Sequence, residues 1–318
     1  MGRIGLVSLL MVFAAACGTV RSGAGADDAT GTATPGATGT PTPGTDPTGG
    51  YDPGPVPTTI GGMAAFARTR DQQAGDSVGI NDFIGMVNFF PVPVPVPPTL
   101  AVGWNDFPDM AMDTCEQIYP SSVGLSTSIA PPSAGVMTLL GPAGDTAMTL
   151  NMLQGVGMYL SIWNNPDSFV PMSHYVLHAP GAQIGAFDVP LFSPGEIKTL
   201  DPDITTPSPF PVSRSQPFLM KWTSVPDGRP IYIFMVQQDN PEFTEMDWMC
   251  KVTDDGEFAI PQTMLQSFGP TVTPFPGEKW RDKLQLRRWH YSTFTPPNAA
   301  GPILTSFESG WYSDIELQ

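Results

Sequence analysis

Basic residues are scarce in this chain, with 14 lysines and arginines against 30 aspartates and glutamates in 318 residues. The resulting formal charge of -16 repels phosphate backbones and anionic lipid surfaces. Binding to nucleic acid and adsorption of the folded body to a membrane are therefore disfavoured. Lysine is scarce, and glycine, proline, threonine and serine are abundant, a composition more typical of an exported β-protein than of a cytoplasmic enzyme.

Motifs for catalysis and for metal binding are also lacking. The chain contains no G-x-S-x-G and no H-E-x-x-H. His174 and His178 are four residues apart, but their apolar neighbours favour a strand, where that spacing separates them by about 13 Å. Structural calcium and a carboxylate pair for glycoside hydrolysis stay open, because both depend on positions in space. Because no catalytic or metal-binding motif is present in the sequence, we expect no enzymatic activity, no metal site and no cofactor.

Residues 1–16 have the layout of a secretory signal peptide. One charge at Arg3 precedes an apolar stretch over 4–13 that is too short to span a bilayer. Small residues followed by Cys17 resemble the end of a bacterial lipoprotein signal, which implies that this cysteine is lipidated and becomes the first mature residue. Ordinary signal-peptide cleavage after Ala16 is the alternative. Ala14 lies three residues before Cys17, where bacterial lipoproteins usually carry leucine.

Residues 17–60 are predicted to form the lipidated start of the mature chain and a disordered linker. Between 18 and 60 there are 11 threonines, 10 glycines and 7 prolines, and few side chains suited to a core. Such a composition cannot bury enough apolar surface to offset the entropy lost on ordering. A sugar-bearing stalk is the alternative, with glycans on its threonines.

Strand patterns recur along the rest of the chain. Residues 219–223 and 246–252 alternate between apolar and polar side chains, and 231–236 are apolar on both faces. Turn residues separate these runs, as in a sandwich of short antiparallel strands. Only 262–268 and 63–70 resemble helices, and the latter could equally be the first strand. We predict an all-β fold of tandem antiparallel β-sandwich domains.

The prolines between residues 201 and 211 suggest a junction between two domains, because no regular element can cross them. The predicted domains are 61–204 and 205–318. In the second domain, alternation places Trp222, Ile233 and Trp248 on inward faces of adjacent antiparallel strands.

Proline and valine alternate over residues 91–97. This pattern predicts a polyproline II rod or an edge segment, because proline cannot donate to a strand ladder. Two interpretations are open. The segment is a rigid loop laid over the sandwich, or it is a ligand for a partner with an aromatic groove.

Several motifs resemble segments of uncharacterised surface lipoproteins of Gram-negative bacteria. They are the run 214–223, the run 250–261, and the turn-rich stretches 133–136, 178–182 and 186–190. The resemblance implies immunoglobulin-like or fibronectin-III-like β-sandwich domains over roughly 130–290. Trp222 lies far from Cys115, so the cysteine and tryptophan pattern of antibody domains is not met.

The remaining candidate site residues are aromatic rings and cysteines. Trp163, Trp311 and Tyr312 lie near turns or strand ends, where exposed rings can stack on sugar faces, although most tryptophans in sandwiches are buried. Cys115 and Cys250 are an even pair if Cys17 is lipidated. A disulfide between them stays open against two buried thiols, because a separation of 135 residues neither requires nor forbids contact.

These features predict an exported protein anchored by lipid in the outer membrane, facing the periplasm or the cell surface. We expect a structural or interaction role without catalysis, and the alternative is a lipoprotein that binds carbohydrate or another surface ligand. Gly18 stands where lipoproteins retained in the inner membrane carry aspartate, so the resemblance implies delivery to the outer membrane. The expected partners are the membrane, envelope proteins and glycans.

Overall fold

The computed structural model describes residues 57–72, 80–95, 110–118, 131–153, 156–163, 166–198, 200–225, 229–238, 245–271 and 282–318. Within these ranges nearly all of the regular secondary structure is β-strand, which confirms the all-β prediction. The predicted helix at 262–268 is present, and the segment 63–70 belongs to a strand. The predicted signal peptide, Cys17 and all but the last residues of the predicted linker lie outside the described residues.

The strands of the described ranges are numbered in chain order. They are β1 (Thr59–Gln72), β2 (Ile80–Pro95), β3 (Thr114–Ile118), β4 (Met137–Leu140), β5 (Thr146–Leu153), β6 (Val156–Trp163), β7 (His174–Ala179), β8 (Phe187–Phe192), β9 (Leu200–Asp201), β10 (Phe210–Val212), β11 (Phe218–Trp222), β12 (Ile231–Gln238), β13 (Glu245–Val252), β14 (Glu257–Ile260), β15 (Lys283–Phe294) and β16 (Ile303–Leu317). A 3-10 helix spans Pro166–Ser168, and helix α1 spans Gln262–Ser267. In this part of the chain, no helix combines the length and the apolar character needed to cross a membrane.

One large sheet runs through both predicted domains. Twelve of its thirteen strands follow the order β3-β13-β12-β15-β16-β1-β2-β6-β5-β4-β7-β8, and the thirteenth, β10, pairs with β16 beside this path. β1 pairs with β16 in parallel, with Phe66 opposite Phe307, and β10 also pairs with β16 in parallel. The sheet is therefore mixed, and two separate antiparallel sandwiches are not confirmed.

The first core lies between two parts of the large sheet. Strands β1, β2 and β16 contribute buried side chains on one side, and β4, β7 and β8 contribute them on the other. Phe307 lies among the rings of Phe66, Phe83 and Tyr175, with ring centroids 5.0 to 5.7 Å from its own. Strands β4, β7 and β8 alternate buried and more exposed residues because one face of each is covered, whereas β1, β2 and β16 are buried on both faces over much of their length.

The second core lies between the other part of the large sheet and a small sheet of order β14-β11-β9. Helix α1 adds Met264 and Leu265 to this core. Ile233 and Trp248 come from neighbouring strands β12 and β13, as predicted. Trp222 belongs to the same core but lies on β11 of the small sheet, so the prediction that all three residues sit on adjacent strands was wrong.

The segment that connects the two cores, from residue 193 to the prolines of 201–211, is bound to the large sheet just before those prolines. Trp311 donates from Nε1 to the carbonyl of Ile197 at 2.7 Å, and Arg288 donates to the carbonyl of Gly195 at 2.8 Å. Arg70 donates to the carbonyl of Lys198 at 2.9 Å. β9 and β10 lie near the ends of the segment, and each pairs with a neighbouring strand. The connection is thus an integrated part of the fold.

Candidate functional site

Trp311 and Tyr312 point to opposite faces of β16, and both are buried. Trp311 is 8% exposed, and the guanidinium of Arg70 lies 4.9 Å above its ring. Tyr312 is 5% exposed and donates its hydroxyl proton to Glu308. A ring that stacks on a sugar must have a free face, so the expected ligand platform at these two residues does not fit their burial. Trp163 ends β6, and its side chain lies outside the described part.

Cys115 and Cys250 form a disulfide. They occupy opposite positions on β3 and β13, and β3 is an edge strand of the large sheet. Cys250 is fully buried in the second core, with its sulfur 3.7 Å from that of Met264, whereas Cys115 is half-buried. The bond therefore ties the sheet edge to a core strand 135 residues later in the chain.

The three histidines make contacts expected of structural side chains. His178 pairs with Asp188 at 2.7 Å on an open surface. His290 is buried, donates from Nδ1 to the carbonyl of Phe192 at 2.9 Å, and stacks on that ring. His174 contacts the same ring. Across the described ranges, no three His, Cys, Asp or Glu side chains are grouped to hold a metal ion.

The carboxylate of Asp254 binds groups of the protein itself. One carboxylate oxygen accepts from Trp222 Nε1 at 2.7 Å. The other accepts from the Val225 amide at 3.1 Å and from Arg288 at 2.5 Å. The carboxylate thus connects the small sheet to β15 of the large sheet.

The face of the large sheet that points away from the second core carries a group of charged and aromatic side chains that sequence reasoning missed, which we call the outer-face cluster. It consists of Arg287, Glu308, Phe234, Trp289 and Tyr312. Arg287 lies over the three rings, 4.7 to 5.3 Å from their centroids. Glu308 accepts hydrogen bonds from Trp289 and Tyr312, and one of its oxygens lies 3.7 Å from Arg287.

Charge and burial oppose each other within the outer-face cluster. Burial lowers the pKa of Arg287, because removing the guanidinium from water disfavours its charged form. The neighbouring carboxylate of Glu308 acts against this change by stabilising the cation. Glu308 already has three donors around it, so it is poorly placed to accept a proton from a substrate. The arrangement suits a structural role or the polar side of a ligand site.

A row of aromatic rings extends from the outer-face cluster across the sheet. The ring of Trp289 lies 5.2 Å from that of Tyr232, 5.3 Å from that of Phe234 and 5.6 Å from that of Tyr291. Trp289, Phe234 and Tyr291 are half-buried. The alternation of Gln285, Arg287, Trp289 and Tyr291 along β15 is the sequence signal that places them on one face.

No protein-family model matches this chain, and no curated protein matches it.

Proposed function

We propose that this protein is an exported lipoprotein of the Gram-negative outer membrane, anchored through Cys17, with a structural or interaction role and no catalytic activity. The observation that carries the proposal is the disulfide between Cys115 and Cys250. Disulfides persist in oxidising compartments such as the periplasm and the cell surface and are rare in the cytosol. This agrees with the export signal and the lipidation motif that precede the body.

The internal chemistry of the body supports a non-catalytic role. Asp254, Glu308 and His178 are side chains of types that often perform catalysis. Each one is engaged with neighbouring protein groups: Arg288 and Trp222, Tyr312 and Trp289, and Asp188. The buried contacts of Asp254 and Glu308 join neighbouring strands, which is a structural use of both carboxylates. We also propose that the two cores correspond to two immunoglobulin-like sandwiches that share the central strands of one sheet.

The anchor is tested by producing the full chain in a Gram-negative host beside a Cys17→Ser variant. Burial of acyl chains contributes about 0.8 kcal/mol per methylene and does not depend on charge. The parent should therefore enter the detergent phase and stay with outer membranes at high salt, and Cys17→Ser should be released into the soluble fraction. A soluble parent, or one recovered mainly with inner membranes, would contradict the proposed location.

Carbohydrate binding is the second candidate, favoured by the row of half-buried rings at Phe234, Trp289 and Tyr291. Rings beside polar groups such as Arg287 and Gln285 are suited to the faces and hydroxyls of a sugar. A glycan array separates the two candidates. Tyr291 belongs to the row of rings but not to the outer-face cluster. If the parent binds a glycan specifically and Tyr291→Ala loses that binding while it keeps its melting temperature, carbohydrate binding would replace a purely structural role.

A further inference from the structure

The end of β2 carries a proline segment that neither core explains. In the stretch from Phe90 to Pro95, every residue is a proline or precedes one. Proline fixes its own φ near -65°, and it disfavours the α region for the residue before it. The segment is therefore restricted to extended and polyproline II backbone before any partner is met, and its prolines have no amide hydrogen to donate.

The ladder between β1 and β2 is interrupted at this segment. Phe89 is opposite Gly62 and Val94 is opposite Ile60, so the four residues from Phe90 to Pro93 face Gly61 alone. Gly61 donates its amide hydrogen to the carbonyl of Pro302, on the side away from β2. Part of the segment therefore leaves the ladder.

Both ends of the interrupted stretch are held by a small apolar cluster. Phe90 is 8% exposed and packs with Ile60, Met63 and Leu304, and Val94 packs against the same group. Between these anchors, Pro91, Val92 and Pro93 are exposed, and Val92 is 56% exposed. We call these three residues the proline tip. Its apolar surface is fixed in place and faces solvent.

We propose that the proline tip is a recognition element for another envelope protein that has an uncharged, aromatic-lined groove. This inference rests on the interaction role proposed above and names the class of partner. Aromatic grooves bind polyproline II segments because the ligand is already ordered and loses little entropy on binding. No charged residue occurs between Asp82 and Asp106, so the chemistry that remains for recognition is apolar contact with proline and valine.

Photocrosslinking of the full chain in its own bacterium tests the partner. A benzophenone amino acid replaces Val92, and in the matched control it replaces Val136, which is also 56% exposed. A third site is the exposed Leu219. We expect position 92 to give an adduct whose crosslinked peptide maps to an aromatic groove of the partner. The adduct should fall at least tenfold when Pro91→Ala and Pro93→Ala are added, without a change in melting temperature.

The results of the crosslinking experiment distinguish failure of the proline-tip proposal from failure of the proposed interaction role. Adducts at position 136 or 219 but not at 92 would overturn the proline tip and leave the interaction role standing. No adduct at any of the three sites would count against both. An adduct at 92 that survives the two alanine substitutions, or that maps outside an aromatic groove, would also overturn the tip.

A direct binding measurement tests the chemistry without the natural partner. The probe is an isolated WW domain, whose groove is lined by aromatic rings. We expect saturable binding to the purified parent and at least a tenfold loss for Val92→Asp, which adds a charge at an exposed position without altering the prolines. A parent that does not bind the WW domain, or a Val92→Asp variant that binds it equally well, would show that the proline tip does not act as a polyproline ligand.

Discussion

Arg288 donates to Asp254 across the second core, with 2.5 Å between the guanidinium nitrogen and the carboxylate oxygen. Arg288 lies on β15 and has no exposed surface, and Asp254 lies in the turn between β13 and β14. The same carboxylate accepts from Trp222 on β11. One acidic side chain therefore joins both layers of the second core, and the arginine is compensated where water cannot reach it.

Replacement of Asp254 should destabilise the protein strongly. Asp254→Ala leaves Arg288 buried without its carboxylate and removes the acceptor for Trp222, and breaking a buried pair costs about 3–5 kcal/mol. Asp255→Ala is the matched control, because Asp255 is exposed and accepts only from the nearby Glu257 amide among its described contacts. It should stay within about 1 kcal/mol of the parent. Urea unfolding measures both, and equal stability of the two variants would contradict the bridging role.

Local patterns predicted individual strands well. Met220 and Trp222 are buried and Lys221 between them is exposed, as their alternation predicts, because period two depends only on the neighbouring backbone. β16 and β15 were not predicted as strands. Arg288 and Glu308 are charged residues on buried faces, and they hide the apolar pattern by which strands are recognised.

The long-range arrangement had no local signal. β1 and β16 pair in parallel although they lie at opposite ends of the described chain, and this pairing makes one sheet of the two predicted domains. The outer-face cluster was missed for a similar reason, since Arg287 and Glu308 come from different strands. The pairing of Cys115 with Cys250 also depends on strand register, which the sequence of either segment does not contain.

The disulfide should contribute measurably to stability. It closes a long loop and holds edge strand β3, which pairs only with β13 in the described sheet. The variant with both Cys115→Ala and Cys250→Ala should lose about 2–4 kcal/mol. A dithiol reductant should lower the melting temperature of the parent towards that of the variant and leave the variant unchanged. Insensitivity of the parent, with reduction confirmed by thiol labelling, would show that β3 is held by other contacts.

Tyr175 should make stability depend on alkaline pH. Its hydroxyl accepts from the Val170 amide at 2.7 Å and lies 3.3 Å from the Ser168 carbonyl, to which it donates. Burial raises the pKa of Tyr175, while the hydrogen bond from Val170 acts in the opposite direction. The folded state thus holds this proton more tightly than the unfolded chain.

The sign of the effect follows from proton binding. The contribution of Tyr175 is complete below its unfolded pKa of about 10 and is lost as the pH rises through its higher folded pKa. Tyr175→Phe should therefore show a shallower loss of stability above pH 10 than the parent, and a cost of about 1–3 kcal/mol at pH 7 because the Val170 amide loses its acceptor. Guanidinium unfolding at a series of pH values measures the free energy of unfolding of the parent and of Tyr175→Phe. Parallel curves above pH 10 would contradict the assignment.

The outer-face cluster should behave as one unit. Glu308→Leu leaves Arg287 as a buried cation without its carboxylate and should cost about 3–5 kcal/mol. The double variant Arg287→Met and Glu308→Leu should cost less than the sum of the single changes, since no uncompensated charge remains. The exposed pair Lys221 and Glu257 is the control, with an expected coupling of at most about 1 kcal/mol. Additive costs in the cluster would mean that its members act independently.

Trp311 should be a structural residue, in contrast to the exposed ring that its place near a turn or strand end suggested. Trp311→Ala removes a ring from the second core, together with the hydrogen bond to the Ile197 carbonyl and the surface beneath Arg70. The expected cost is about 3–5 kcal/mol. Trp311→Phe keeps most of the packing and loses the hydrogen bond, so it should cost about 1–3 kcal/mol.

Hydrogen exchange adds a local readout to the thermal melts of the two Trp311 variants. Arg70 holds Glu196 at 2.7 Å as well as the Lys198 carbonyl, and its guanidinium lies on the Trp311 ring. Loss of the ring should therefore increase exchange along residues 195–204 more than elsewhere, and Trp311→Phe should show a smaller increase. If Trp311→Ala instead melts and exchanges like the parent, the ring does not hold the connecting segment.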